Sequence, residues 1–371
     1  MNDPRIFWVA LNLVNGIGSV RFQTLLDYFG DPQTAWEAAP AALLAAGLQE
    51  KIVNNLLRVR ASVDLQSLWE NLEASDYRLL TWLDEDYPRR LKEVNQSPPV
   101  LYIHGEVTAE DEWAVAVVGT RRATAYGQQV AEELGSFLAH NGITVVSGLA
   151  RGVDAIAHRA ALDAGGRTLA VLGSGVDMVY PPENRKLAEM IVERGALISD
   201  YPLGTPPEGP NFPPRNRLIS GLSIAVVVVE AGGSSGATIT ANYAGEQGRE
   251  VFAVPGNIYA EQCKGTNRLI QQGAHPLLTP ADLIEALDLT LMTEHKTART
   301  ILPADAIEAK LFEVLTYEPM HVDEIRTQAE LPIEQVSATL ALMELKGMVR
   351  QVGGMLYVAI REVKARYETE S

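Results

Sequence analysis

Glycine, threonine and arginine residues stand directly after an apolar run in the middle of this chain, where they could hold a phosphate group. Gly119, Thr120 and Arg121 follow the run at residues 113–118. Glycine permits a tight turn, threonine supplies a hydroxyl group, and arginine supplies a planar cation that pairs with phosphate oxygens. A helix predicted to begin near Ala125 would add free backbone amides. The segment therefore predicts a phosphate-binding turn, and it lacks the GxGxxG pattern and acidic ribose anchor of a dinucleotide site.

An aromatic residue beside two arginines occurs in the segment NFPPRNRLISGLS, at residues 211–223. The prolines next to Phe212 predict that it is held in a loop and not inside a helix. Arg215 and Arg217 stand on either side of Asn216. Such a group offers a stacking surface for an unpaired base and cations for the backbone phosphates, as binding of single-stranded nucleic acid requires. The alternative is that Phe212 packs into the core and one arginine forms a structural ion pair.

A glycine- and serine-rich loop follows the apolar run at residues 224–230 and leads into another predicted helix. Its candidate anion-binding residues, with one from the first helical turn, are Gly233, Ser234, Ser235, Gly236 and Thr238. The segment 232–236 also matches the GxSxG pattern of serine hydrolases. No aspartate occurs between Ser234 and His275, so the order of such a catalytic triad is not met and anion binding is the favoured interpretation.

The segment SGLARGVDAIAHRAAL, at residues 147–162, places Asp154 and His158 four positions apart on one face of a predicted helix. These two side chains either act as an acid–base pair or hydrogen-bond to each other and orient the loop. The second interpretation is favoured because no nucleophile stands beside them. Arg151, in the same loop, is predicted to contact either a phosphate or a carboxylate.

These groups need a scaffold that brings the ends of several apolar runs together. The runs are WAVAVV, ITVVS, TLAVLG, ALIS, IAVVVVE and EVFAVP, between residues 113 and 255. They lack polar alternation, which is typical of strands covered on both faces, and amphipathic helical segments separate them. The pattern predicts a Rossmann-like α/β domain with a doubly wound, mostly parallel sheet, in which ligands bind beyond the carboxyl ends of the strands.

The flanks predict two smaller domains. Residues 1–75 have apolar residues at helical spacing, which predicts a small all-helical domain of the SAM or helix-hairpin-helix kind. The C-terminal segment has three helical stretches, then a strand, a Gly-Gly turn and a strand, the order of a winged helix. Its third helix carries Glu334 and Glu344 against Lys346 alone, so we expect it to contact protein rather than to read DNA. The predicted segments are a helical domain at 1–75, a connector at 76–112, the Rossmann-like domain at 113–285, a linker at 286–304 and the winged helix at 305–371.

Composition narrows the class of protein. The net charge of −16 argues against broad attraction to DNA, but residues 113–278 carry 13 basic and 14 acidic side chains, which leaves room for a local basic groove. The single cysteine forms no internal disulfide, and neither a signal-peptide pattern nor an apolar run of membrane-spanning length occurs, which predicts a cytoplasmic protein. No metal-ligand spacing and no Walker loop occur, so neither a metal nor a cofactor is predicted.

Six ordered segments resemble the DNA-processing protein A (Smf) family. They are GTRRATAYG, SGLARGVDAIAHRAAL, LGSGVDMVYPPEN, NFPPRNRLISGLS, VVEAGGSSGATITANYAGEQGREVFAVPGNI and GTNRLIQQGA. The resemblance implies a non-catalytic homodimer that binds single-stranded DNA through its Rossmann-like domain, protects incoming DNA and loads the RecA recombinase onto it in natural transformation. The pocket residues that it implies are Arg121, Phe212, Arg215, Asn216 and Arg217. Thr120 stands where the family usually has serine and keeps the hydroxyl group.

Two other functions stay open. One is a nucleotide phosphoribohydrolase similar to the lysine-decarboxylase-like family, which has a PGGxGTxxE loop on a Rossmann-like sheet. Here the loop AGGSSGATITA has an extra residue and lacks the catalytic glutamate. The other is an adaptor that binds protein through the winged helix and the N-terminal helices and has no affinity for DNA.

Overall fold

The computed structural model divides the chain into two compact units, Met1–Pro280 and Ala281–Ser371. The described residues are 3–233, 235–287, 306–315, 320–329, 331–345, 349–353 and 355–359. The first unit contains the predicted helical domain, the connector and almost all of the Rossmann-like domain, so its packing shows no division at residue 75. Each unit has a hydrophobic core of its own.

Helices form the N-terminal part of the first unit, as predicted. They are α1 (Arg5–Asn12), α2 (Ser19–Phe29), α3 (Pro32–Glu37), α4 (Pro40–Ala45), α5 (Glu50–Ser62) and α6 (Leu65–Glu73). Trp8 of α1 stacks on Phe22 of α2, with ring centroids 4.9 Å apart. Gly16, in the turn between these helices, has a φ of 98°, and a Cβ atom there would stand 2.3 Å from the side chain of Ile52. This turn therefore requires glycine.

The segment 76–112, which we predicted as a connector leading into the central sheet, itself contributes two strands to that sheet. It forms β1 (Tyr77–Thr81), α7 (Arg89–Lys92) and β2 (Val100–Gly105). β1 pairs antiparallel with β2. Val100 and Tyr102 of β2 pack with the N-terminal helices, whereas Leu101 and Ile103 pack with the core of the sheet. The prolines in this segment favoured a connector, but burial of β2 on both faces stabilises it as a strand.

The central strands are β3 (Ala114–Val118), β4 (Thr144–Ser147), β5 (Thr168–Val171), β6 (Ala196–Ser199), β7 (Ala225–Val228), β8 (Glu250–Ala253) and β9 (His275–Pro276). The strand order is β1-β2-β6-β5-β4-β3-β7-β8-β9. All strands from β3 to β9 run parallel to their neighbours, whereas β2 pairs antiparallel with β6 at one end of this parallel part. The predicted Rossmann-like sheet is confirmed. Its strand order reverses between β3 and β7, which marks the position where such sheets bind ligands.

Helices cover both faces of this sheet. They are α8 (Ala125–His140), α9 (Val153–Asp163), α10 (Arg185–Arg194), α11 (Phe212–Gly221), α12 (Gly236–Glu246) and α13 (Lys264–Gln271). Ala170 of β5 packs with apolar residues of α9 and α10. Its neighbours Leu169 and Val171 pack with residues of α11 and α12 on the other face. Burial on both faces explains why these strands are continuous apolar runs.

The second unit, taken by itself, has the predicted order of a winged helix. Its elements are α14 (Ala281–Ala286), α15 (Ala306–Val314), β10 (Met320–His321), α16 (Val322–Ala329), α17 (Ile333–Leu345), β11 (Val349–Gly353) and β12 (Leu356–Ala359). The strands pair antiparallel in the order β10-β12-β11. Leu311, Ile325 and Leu340, one from each of the last three helices, are fully buried together. From residue 288 onward the predicted linker, like Lys346, lies outside the described residues.

Candidate nucleic-acid interface

A cleft of about 570 Å³ opens where the strand order reverses, beyond the carboxyl ends of β3 and β7. Its walls are the loops after β3, β4 and β5 and the N-terminal turns of α11 and α12. The predicted residues that line it are Gly119, Arg121, Phe212, Arg215, Asn216, Ser235 and Gly236. The fold thus brings three of the predicted segments together around one cleft.

Two aromatic rings and an arginine form one wall of the cleft. The guanidinium carbon of Arg121 lies 5.7 Å from the centroid of the Phe212 ring, which is within the range of a cation–π contact. The Tyr180 ring lies 5.8 Å from the Phe212 ring, with the planes tilted by 35°. Arg121 and Tyr180 are exposed and Phe212 is half-buried, so a flat ligand can reach this wall. Sequence reasoning did not single out Tyr180; an aromatic residue in a loop after a central strand was the signal that it could serve the site.

Phe212 begins a helix, so our prediction that it is held in a loop is wrong. α11 starts at Phe212, with Pro213 and Pro214 in its first turn. Proline is tolerated there because the first amides of a helix have no acceptor within it. One edge of the ring packs on Gly173, where an added Cβ atom would stand 2.8 Å from the ring. Phe212 is therefore packed along one edge and still lines the cleft.

Arg215 lies in the wall of the cleft, but its guanidinium group is engaged within the protein. The residue is only 5% exposed. Its Nη1 atom donates to the carbonyl oxygen of Gly148, at 3.0 Å, and to that of Val171. Burial lowers the pKa of Arg215 to about 10 while the Asp154 carboxylate opposes the shift, so the group is still cationic at neutral pH. These contacts favour a structural role over the phosphate contact that we predicted.

Asp154 and His158 do not bond to each other as the helical spacing suggested. The Asp154 carboxylate accepts hydrogen bonds from the amides of Gly148, at 3.1 Å, and Ala150, at 3.3 Å. Nδ1 of His158 shares a hydrogen bond of 2.6 Å with the hydroxyl group of Thr168 on β5. Burial lowers the pKa of His158 to about 3, so the imidazole is neutral at pH 7. Of these two side chains only Asp154 bonds to the loop, because His158 bonds to the sheet.

A buried carboxylate occupies the N-terminus of α8, where we predicted free amides for a phosphate. Glu230, which follows β7, is 1% exposed. Its carboxylate accepts hydrogen bonds from the Thr124 amide, at 3.0 Å, and from the Thr124 hydroxyl group, at 2.5 Å. The same hydroxyl group accepts a hydrogen bond from the amide of Gly127. The helix begins at Ala125 as predicted, but the prediction that its first amides are free for a phosphate is wrong, since the protein supplies the anion that this helix end stabilises. A glutamate directly after a fully apolar run was the available signal.

Arg217 lies outside the cleft and forms the structural ion pair that we gave as the alternative for one arginine. Its Nη2 atom lies 2.7 Å from Oδ2 of Asp200, and its Nε atom donates to the carbonyl oxygen of Gln96 at 3.2 Å. Asn216 does line the cleft. Its side-chain amide donates to the carbonyl oxygen of Gly236 at 3.3 Å, which ties the start of α11 to the start of α12.

Thr120 and Arg151 have partners within the protein and do not line this cleft. The amide of Thr120 donates to the carbonyl oxygen of Glu230 at 2.7 Å, and its hydroxyl group accepts a hydrogen bond from the amide of Arg122 at 3.2 Å. Thr120 therefore shapes the turn that presents Arg121. Arg151 forms an ion pair with Glu183, which is the carboxylate contact of the two alternatives that we gave for it.

The loop before α12 supplies one helix cap and one exposed glycine. The Ser235 hydroxyl group accepts a hydrogen bond from the amide of Ala237 at 3.3 Å and caps the helix. The Thr238 hydroxyl group donates to the carbonyl oxygen of Ser235 at 2.6 Å and is not part of the cleft wall. Gly233 is exposed but stands outside the cleft, and Ser234 lies outside the described residues.

The described residues offer little for metal or acid–base chemistry. They contain no group of three or more His, Cys, Asp or Glu side chains that could hold a metal ion. Asp154 is the one carboxylate among the described residues that line the cleft, and two backbone amides already engage it. In the same part of the chain, none of the helices combines the length and apolar character needed to cross a membrane.

Comparison with known families and proteins gives a consistent match. The family model described as DNA recombination-mediator protein A matches residues 78–288, and the model of the DprA winged helix domain matches residues 295–355. Protein Smf from Synechocystis is 35% identical over 393 residues, which cover 96% of this chain and 99% of that protein. DNA processing protein DprA from Bacillus subtilis is 36% identical over 261 residues, which cover 68% of this chain and 88% of that protein.

Solved structures agree with these matches. The X-ray structure of DNA processing protein A from Streptococcus pneumoniae has a TM-score of 0.68 and 31% identity, over 76% of this chain and 97% of that chain. A structure concerned with the single-stranded DNA binding mode of DNA processing protein A from Helicobacter pylori has a TM-score of 0.52 and 31% identity, over 58% of this chain and 96% of that chain. The resemblance predicted from the six segments is confirmed. The chain belongs to the DNA recombination-mediator protein A family, a family of DNA-processing proteins, and carries the winged helix domain of that family.

Proposed function

We propose that this protein binds single-stranded DNA in the cleft where the strand order reverses. The observation that carries the proposal is the wall in which the exposed Arg121 guanidinium lies over the Phe212 ring and the Tyr180 ring stands beside it. Stacking on an aromatic side chain stabilises an unpaired base by about 1–3 kcal/mol, and cationic groups follow the backbone. In a duplex the bases are already paired and stacked, so we expect single strands to bind more tightly.

Another part of the cleft wall offers polar groups for a phosphate. Gly236 is exposed at the first position of α12, and the N-terminus of this helix carries a partial positive charge. Ser235 and Asn216 stand at the same turn. The proposed DNA contacts are Gly119, Arg121, Tyr180, Phe212, Asn216, Ser235 and Gly236. Arg215 and Arg217 act as supports in this proposal, because both guanidinium groups already have partners in the protein.

A relative supports the choice of ligand. The Helicobacter pylori protein, with 31% identity to this chain, is described by its single-stranded DNA binding mode. The nearly balanced charge of residues 113–278 also fits this proposal, because affinity then depends on local contacts in the cleft and not on a broad positive field.

Binding of a fluorescent oligo-dT and of a matched duplex, measured across a salt series, tests the proposal. We expect tighter binding of the single strand. Arg121→Ala is expected to weaken it about tenfold or more, because a hydrogen bond to a charged group contributes about 1.5–3 kcal/mol. The salt slope is expected to fall by about 0.7, because one phosphate then has no cationic partner. Arg58→Ala, an exposed arginine of α5, is the matched control. No affinity for single strands at low salt would refute the proposal.

We further propose the recombination role that the family resemblance implies. In this role a cytoplasmic homodimer protects incoming single strands and loads the RecA recombinase onto them during natural transformation. The description of the matching family as a recombination mediator supports the proposal. The test is RecA filament formation on an oligonucleotide coated with a single-strand binding protein, together with sedimentation of the chain alone. Absence of stimulation would exclude loading and leave the DNA-binding proposal standing.

We propose that the winged helix contacts protein and not DNA. Glu334 and Glu344 are exposed on α17, and acidic side chains on the third helix would repel phosphates. The variant Glu334→Gln/Glu344→Gln is therefore expected to bind oligo-dT and duplex as the wild type does. A clear gain of duplex affinity in this variant would indicate that α17 lies against DNA.

A further inference from the structure

A second cleft, of about 580 Å³, lies between α8 and α9. Arg121 lines both clefts, so the two meet at this side chain. Arg122, Arg151 and Arg159 line the second cleft together with Arg121. These four arginines are called the arginine mouth below. The proposed function uses only Arg121 among them.

Two of the four arginines in the mouth are available to bind an anion. Arg122 and Arg159 are exposed, and neither forms an ion pair with any residue that the structure describes. Arg151 differs from them because its guanidinium group forms an ion pair with the Glu183 carboxylate. Unpaired cations beside an open cleft are the groups that proteins use to contact phosphates.

Close backbone contacts fix the two segments that carry these arginines. The amide of Val153, at the start of α9, donates to the carbonyl oxygen of Thr120 at 3.3 Å. Gly152 has a φ of 74°, and a Cβ atom on it would stand 2.3 Å from the same oxygen. The turn that carries Arg122 is thus held against α9, which carries Arg159. The spacing of their backbone segments is set before a ligand arrives, so only the two side chains lose conformational freedom when one binds.

The far end of the second cleft limits where a phosphate can lie. Glu132 of α8 and Asp163 of α9 line that end, and both are exposed. Asp163 lies one helical turn beyond Arg159, about 6 Å along the axis. Two carboxylates repel a phosphate at such distances. An anionic chain therefore crosses the mouth and does not follow the cleft to its end.

We infer that the arginine mouth binds the sugar–phosphate backbone of the same single strand whose bases occupy the first cleft. This inference rests on the proposed function. A strand that leaves the first cleft past Arg121 meets Arg122 and Arg159 next. Both arginines contact phosphates and no base, so these contacts are independent of sequence. The length of DNA that the protein holds then exceeds the length of the first cleft.

The double variant Arg122→Ala/Arg159→Ala tests the inference in the full chain. Its affinity is measured with a short oligo-dT of about 4 nucleotides and with a long one of about 16 nucleotides. We expect unchanged binding of the short strand and weaker binding of the long one, by about tenfold. For the long strand the salt slope is expected to fall by about 1.4, because two phosphates then have no cationic partner.

Two control variants separate charge from other effects. Arg122→Lys/Arg159→Lys keeps both charges, so it is expected to retain most of the affinity for the long strand. Arg58→Ala removes an exposed arginine of α5, outside both clefts, and is expected to bind both strands as the wild type does. Thermal unfolding of each variant should match that of the wild type, since the replaced side chains are exposed.

The outcomes distinguish the inference from the proposed function. Unchanged affinity and salt slope for the long strand would overturn the inference while the first cleft remains the binding site. Equal losses of affinity for both strands would also overturn it, because the two arginines would then act through the first cleft. If the wild type binds neither strand at low salt, the proposed function fails and the inference fails with it.

Discussion

Replacement of Arg215 by alanine is expected to destabilise the first unit and not simply to remove a DNA contact. The guanidinium group is buried beside the Asp154 carboxylate and donates to the carbonyl oxygens of Gly148 and Val171. Arg215→Ala leaves that carboxylate without its cation and both carbonyl groups without this donor. The change therefore acts on the end of β5 and on the loop after β4, which contributes Ala150 and Asp154 to the wall of the cleft.

The magnitude follows from these contacts. Each hydrogen bond to a charged group contributes about 1.5–3 kcal/mol, so the loss of both contacts costs about 3–6 kcal/mol. For a unit of this size, each 1 kcal/mol lowers the midpoint of thermal unfolding by about 2–4 °C. We therefore expect the midpoint to fall by roughly 10 °C. Arg215→Lys keeps the charge but cannot reproduce the two-sided contact of the guanidinium group, so a smaller fall is expected.

Thermal unfolding of the full chain, followed by circular dichroism, measures the effect. Oligo-dT binding is then measured at a temperature where the variant is still folded. In the double variant Asp154→Asn/Arg215→Ala the destabilisation is expected to be smaller than the sum of the two single effects, because the two groups interact. An Arg215→Ala protein that unfolds within about 1 °C of the wild type but no longer binds single strands would refute this reasoning. Arg215 would then contact DNA directly.

Three further changes test other parts of the site. Phe212→Ala is expected to weaken single-strand binding about tenfold or more while Phe212→Trp retains it, because one stacked base contributes about 1–3 kcal/mol; equal titration curves for both variants would contradict stacking. Glu230→Gln is expected to lower the free energy of unfolding in urea by about 1–2 kcal/mol, since the Thr124 amide and hydroxyl group lose a charged acceptor; an unchanged midpoint would contradict it. Burial lowers the pKa of His158 from 6.5 to about 3, so the neutral imidazole contributes stability above pH 6.5 that is lost as the pH falls towards 3. In His158→Asn the fall in stability over this range is expected to be shallower by up to about 1.4 kcal/mol per pH unit, and parallel curves would contradict the assignment.

The sheet could be predicted because its central strands are buried on both faces and therefore consist almost entirely of apolar residues. Val226 and Val228 of β7 lie in one core, and Val227 between them is equally buried, so the strand appears as an uninterrupted apolar run. The place of β1 and β2 in this sheet was not predicted, for a different reason. Prolines precede Val100 in the sequence, and the helices that cover the outer face of β2 come from a segment far earlier in the chain.

The loops that form the site were predicted. Which of their side chains are free to contact a ligand, and which support the fold, was not. Sequence alone presents Arg121, Arg215 and Arg217 as similar cations. Which of them is free depends on partners that only the fold brings close, such as Gly148 for Arg215. The same limit applies to Glu230, which bonds to a residue 106 positions away. Local pattern finds the loops that converge, whereas tertiary contacts decide which side chains remain available to a ligand.

The burial of β2 on both faces limits which fragments of this chain can fold by themselves. Val100 and Tyr102 lie in the core of the N-terminal helices, and the Tyr102 hydroxyl group donates to Asn12 of α1 at 3.1 Å. A fragment that begins at residue 76 would expose the side chains of Val100 and Tyr102 to water and is therefore expected to aggregate. Polar replacements at Val100 and Tyr102, with Leu101 and Ile103 kept, would be needed to make such a fragment soluble. The N-terminal helices and the sheet are therefore expected to melt in a single transition, even though they come from separate segments of the sequence.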